Sequence, residues 1–92
     1  MTDLIALLDQ VANRESFLDF VKALAADRAG EVAKERENPS NPWSSGANGW
    51  QNGTIETFLD AAIAWAVDSQ RLPDEPSWRA FATFLYCGKI YE

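Results

Sequence analysis

The chain has 92 residues, a formal net charge of −6 and a pI near 4.5, with 47% hydrophobic and 12% aromatic residues. That length gives one domain with one core, burying roughly 60–65% of the surface its unfolded chain exposes, and the apolar content excludes disorder throughout. The acidity disfavours nucleic acid and anionic membrane as partners, since the eight Lys and Arg are scattered along the chain.

Leu4, Leu7, Leu8 and Val11 make a short apolar stripe that Thr2 or Asp3 can cap, which predicts a first helix over Asp3–Ala12. Asn13 then offers an N-cap, with Glu15 in the first turn of a second helix. Phe17, Phe20, Val21 and Leu24 share its apolar face, and Asp19, Lys22, Asp27 and Arg28 its polar one. Beyond Gly30, the run 31–37 has only Val32 and Ala33 to bury, and Glu31 and Glu35 form a like-charge pair four residues apart. It reads as an exposed extension that frays, with Gly30 as the alternative end of the helix.

Residues 38–53 change character. Twelve of these sixteen are Asn, Gly, Pro or Ser, which is turn chemistry. A loop of this length within a compact domain is commonly functional or disordered, and two tryptophans, Trp43 and Trp50, argue against disorder because each can bury roughly 200 Å². They either staple the loop to the helices, the preferred reading for Trp50, or present a recognition surface together with Asn52. Trp43 fits both readings equally.

Thr54 caps a third helix over Ile55–Ser69, with Glu56 in its first turn. Ile55, Phe58, Leu59, Ala62, Trp65 and Ala66 recur on one face, which predicts the buried side. Pro73 and Pro76 make a rigid turn, and a fourth helix starts at Pro76 or Ser77. Trp78, Phe81, Ala82 and Leu85 are its predicted inner face; Gly88 is the predicted stop, with Lys89–Glu92 as a tail packing back. The expected fold is all-α: a compact four-helix single domain, with a long Asn/Gly/Pro-rich loop between helices 2 and 3.

Chemistry is scarce. There is no His, which removes the commonest general base and metal ligand, and one Cys cannot make a zinc site. No glycine-rich phosphate motif or nucleophile elbow occurs. Cys87, in an apolar run, reads as a buried, inert thiol. Glu56, Asp60, Asp74 and Glu75 read as solvated charge, and the loop has asparagines but no acid for a calcium site. No cofactor, no metal and no catalytic residue is expected. With no signal-peptide pattern and no spanning apolar stretch, the expected location is cytoplasmic.

The pattern Trp50-x-Asn52-x-Thr54-Ile55-x-x-Phe58-Leu59-x-Ala61, with Trp65 a turn later, resembles a family of small, uncharacterised, mainly bacterial proteins. So do Glu15-Ser-Phe17-Leu18-x-Phe20-Val21 and the closing Ser77-Trp78-Arg79…Gly88-Lys89-Ile90-Tyr91-Glu92. The resemblance implies a stand-alone helical domain of unknown function and no activity. Looser analogy adds toxin-neutralising immunity proteins, which are also small and acidic.

The leading expectation is therefore a non-catalytic module that binds another protein through an acidic surface or a loop-centred one formed by Trp43, Trp50 and Asn52, with an immunity-like role as its most concrete form. The alternatives are a small-molecule binder or weak enzyme with a pocket floored by Trp50, Trp65 and Trp78, and a structural homodimer that buries apolar surface from the first helix or Tyr91. The oligomeric state is either monomer or homodimer.

Overall fold

A computed structural model describes residues 3–40 and 46–92. Within them the chain forms four helices and no strand: α1 (Leu4–Asp9), α2 (Arg14–Glu37), α3 (Ile55–Ser69) and α4 (Trp78–Ile90). Each start is set by a local cap. The Asp3 carboxylate accepts from the Ala6 amide at 3.1 Å, and Ser77 Oγ from the Ala80 amide at 3.0 Å. Asn13 with Ser16, and Thr54 with Thr57, form reciprocal capping boxes at the starts of α2 and α3.

Helix α1 is shorter than its apolar stripe suggests. Ser16 Oγ accepts from the Ala12 and Asn13 amides, so the start of α2 draws those residues out of α1. Val11 is buried in the connection. Conversely, α2 runs unbroken through Gly30 to Glu37, against the expectation of fraying or an earlier end. The reason is tertiary: Glu31 and Glu35 each receive hydrogen bonds from the loop, so the last two turns are anchored.

The core gathers Leu4, Val11, Phe20, Leu24, Trp50 and Ala82, with Leu7, Phe17, Val21, Phe58 and Leu85 packed against it. Phe20 is fully buried, so truncating it to Ala removes about 3–5 kcal/mol. Helix α4 is central, since it packs on α1, α2 and α3. Helix α3 packs on α4 alone among the helices, and no Cα of α2 lies within 8 Å of one in α3.

Helix α4 does not stop at Gly88 as the sequence suggests; it continues to Ile90. The glycine serves a close approach instead. A Cβ there would sit 2.8–2.9 Å from the Phe58 ring. That contact presses the Phe58 side of α3 onto α4 and sets the rotation of α3. Ala61 and Ala62 are buried, whereas Ile55 and Leu59, expected inside, point outward. On α4 the expected inner residues also divide: Ala82 is buried and Leu85 half-buried, but Trp78 and Phe81 are exposed.

Gly88→Ala therefore forces α3 and α4 apart. It should cost about 1–3 kcal/mol, read as a lowered urea midpoint with an unchanged slope. A midpoint equal to wild type would mean that the helices do not approach this closely.

Candidate functional site

Three acids spaced four residues apart, Asp27, Glu31 and Glu35, lie on the side of α2 that receives the loop. Glu31 is only 2% exposed. Its Oε1 accepts from the Asn48 amide at 3.0 Å and the Trp50 amide at 3.2 Å, and its Oε2 pairs with Arg28 Nη1 at 2.6 Å. A buried carboxylate is tolerated when paired and fully hydrogen-bonded, and Glu31 is both. Gly46 abuts it so closely that a Cβ would overlap the carboxylate.

One turn back, Asp27 Oδ2 accepts from Trp50 Nε1 at 2.8 Å and from Lys89 Nζ at 2.7 Å. Its backbone carbonyl takes Asn48 Nδ2 at 2.8 Å. One turn forward, Glu35 accepts from the Ser40 hydroxyl at 2.5 Å, the Ser40 amide at 2.6 Å and the Ala47 amide at 2.8 Å. The hydroxyl and then the amide of Ser40 are the main reasons that the Glu35 carboxyl lies below its ordinary value of 4.5.

The far side of the loop is fixed to α4. Asn52 Nδ2 donates to the Gly88 carbonyl at 3.0 Å and to the Tyr91 carbonyl at 2.8 Å, while the Gln51 amide donates to the Lys89 carbonyl at 2.9 Å. Trp50 sits between these anchors, stacked on Phe58 with ring centroids 6.0 Å apart. The Arg28 and Lys89 cations lie 5.8 and 5.6 Å from its ring centroid.

Of the residues expected to form a recognition surface, Trp50 and Asn52 are placed otherwise. Trp50 is 8% exposed and its indole N–H is taken by Asp27, so it is a staple. Asn52 caps the end of α4. Trp43 lies outside the described residues. The aromatic pocket is not assembled either: Trp50 stacks on Phe58, Trp78 packs on Phe17 and Phe81, and Trp65 lines a separate cavity of about 410 Å³ with Arg71, Arg79 and Cys87. Cys87 is buried, and burial raises its thiol pKa, which leaves it a poor nucleophile. Tyr91, expected to pack back, donates its hydroxyl to Asp68 at 2.8 Å; that bond is the main reason its pKa is raised.

What the sequence reading passed over is a face. Ile55, Leu59, Ile63 and Val67, spaced four apart on α3, are 78%, 45%, 53% and 67% exposed. Four large aliphatics in one row on water is unusual for a monomer surface. Beside the row, between α2 and α3, runs a cleft of about 530 Å³ lined by Val21, Leu24, Ala25, Phe58, Leu85 and the stripe's own Ile55 and Leu59, with Arg28 at its rim. The signal was present in the sequence: α3 carries aliphatic residues around more of its circumference than α4 alone could cover. A second cleft, of about 660 Å³, lies between the α1 start and the loop, with Asp27, Lys34, Asn48 and Lys89 in its wall. Their side chains are already engaged with one another: Lys34 donates to Asn48 Oδ1 at 2.7 Å, and Lys89 pairs with Asp27. Among the described residues no group of three or more His, Cys, Asp or Glu could hold a metal ion, and no helix is long and apolar enough to cross a membrane.

Residues 13–92 match DUF7660, a family of unknown function. No curated protein and no solved structure matches the chain.

Glu31→Ala would leave Arg28 and two loop amides without their acceptor. It should cost on the order of 3 kcal/mol, with loss of amide protection at Asn48 and Trp50 by hydrogen exchange. Glu35 gives the loop a pH dependence. Its folded carboxyl ionises below the ordinary value, so its contribution is complete above that value and lost as pH falls through the lowered one. Protection of the Ser40 and Ala47 amides should therefore fall on acidification below about pH 4.5, and Glu35→Gln should abolish that transition.

Proposed function

The chain belongs to the DUF7660 family, whose function is unknown, and we propose that it is a non-catalytic protein-binding module whose contact surface is the outward face of α3. The observation that carries this reading is the row Ile55, Leu59, Ile63 and Val67, left on water by a helix that packs on α4 from its other side. Exposed apolar rows of this kind, flanked by polar residues such as Glu56 and Asp60, are what helical proteins offer to partners. The proposed surface is α3 rather than Trp50 and Asn52, because the polar groups of Asn48, Trp50 and Asn52 are engaged in holding the loop in place.

A small-molecule reading has one observation in its favour. The α2–α3 cleft of about 530 Å³ is of ligand-pocket size and almost wholly apolar, with Trp50 and Phe58 at one end. Saturable quenching of tryptophan fluorescence by an apolar metabolite would favour it.

The test of the module is capture. Tagged wild-type chain and a double variant, Ile63→Glu with Val67→Glu, are passed over lysate of the cells that make the protein. Both positions are exposed, so the variant should fold and melt within about 0.5 kcal/mol of wild type. The expected result is a protein, the untagged chain included, retained by wild type and lost by the variant. Identical captures would defeat the proposal.

A further inference from the structure

We infer that the occupant of the α3 face is a second copy of this chain, docked so that each copy's α3 row lies in the other's α2–α3 cleft. The inference rests on the reading of α3 as a contact surface. Three observations select the second copy.

The first is self-complementarity. A two-fold interface uses the same patch on both copies, so the patch must hold both a ridge and a groove. This one does. The ridge is Ile55, Leu59, Ile63 and Val67, and the groove beside it is walled by Val21, Leu24, Ala25 and Leu85. Ile55 and Leu59 belong to both, so ridge and groove are adjacent on one side of the molecule. No Cα of α2 lies within 8 Å of one in α3, and the space between them is the apolar cleft of about 530 Å³.

The second is area. From their fractional exposures, the four ridge residues leave on the order of 450 Å² on water, the size of the largest patch a monomer usually carries before anything adjoining is added. The groove walls and the exposed Phe81, one turn from Leu85 on the same side of α4, extend it toward the roughly 800 Å² per partner of a standard interface.

The third is charge. A chain of net charge −6 pairs with itself only where its acids are kept apart or matched. The ridge itself is uncharged. The acids next to it, Glu56 and Asp60, are on α3, whereas Arg28 lines the α2 wall of the groove and the exposed Lys22 follows that wall's Val21 in sequence. Seating one copy's α3 in the other's groove brings acids of the first toward cations of the second.

Sedimentation velocity over a concentration series, with the intact chain, tests this. Wild type should pass from the 10.2 kDa chain mass to twice that mass as concentration rises, and Ile63→Glu should stay at the single mass with unchanged helical circular dichroism. Lys22→Glu should weaken the dimer roughly tenfold, a change typical of one lost charge contact, and Lys22→Glu combined with Glu56→Lys should restore it. A wild type that remains a single chain at every concentration overturns the inference, as does a dimer indifferent to Ile63→Glu. A single-chain wild type that still loses a foreign protein on Ile63→Glu with Val67→Glu removes self-association and leaves the module reading standing. One that captures nothing removes both.

Discussion

The buried Glu31 carboxylate is the constraint on which the rest of this structure depends. A loop rich in Asn, Gly and Ser has many backbone amides and few apolar groups, so it stays docked only where acceptors meet those amides. Helix α2 supplies them as a ladder. Asp27, Glu31 and Glu35 stand one turn apart: Asp27 takes the side chains of Asn48 and Trp50, Glu31 takes the backbone amides of the same two residues, and Glu35 takes Ser40 and Ala47. Alone, three acids on one helix face would repel and loosen its end. With the loop's N–H groups and the Arg28 and Lys89 cations placed against them, the same acids hold α2 straight to Glu37.

The ladder also explains why the two ends of the family resemblance belong together. Trp50, Asn52, Thr54 and Phe58 come from one segment, and Gly88, Lys89 and Tyr91 from the chain's last turns, yet they converge on one spot. Trp50 stacks on Phe58 and donates to Asp27; Lys89 covers the Trp50 ring and shares that carboxylate; Phe58 fills the space that a side chain at position 88 would need; Asn52 ties off the carbonyls of Gly88 and Tyr91. Each of these residues has a structural duty that accounts for its type. Their convergence describes how a loop is locked between two helices.

How much of this the sequence disclosed follows the range of the forces involved. Helix starts were legible, because Asp3, Asn13, Thr54 and Ser77 act on amides three residues away. The ladder was not. Glu31 finds its acceptor role with residues 17 and 19 positions downstream, so local rules see only a repelling pair with Glu35. Lys89 read as tail for the same reason, its partner Asp27 being 62 residues away. Gly88 was read through its local habit of ending helices, whereas its use here is set by the Phe58 ring on another helix. Periodicity identified α3 and α4 but not which side each would bury, since both are apolar over more than one face.

That last ambiguity leads to the exposed face. The close approach of α3 and α4 uses small residues: Gly88 on α4 leaves room for the Phe58 ring, and the buried positions of α3 are Ala61 and Ala62. Small residues at a helix contact let two backbones approach and leave no room there for larger aliphatics. Ile55, Leu59, Ile63 and Val67 are turned away from that contact, and Trp50 stands between Asp27 of α2 and Phe58 of α3. None of the four aliphatics takes part in the ladder's hydrogen bonds, so a complementary surface from outside can cover the row without breaking the bonds that hold the loop.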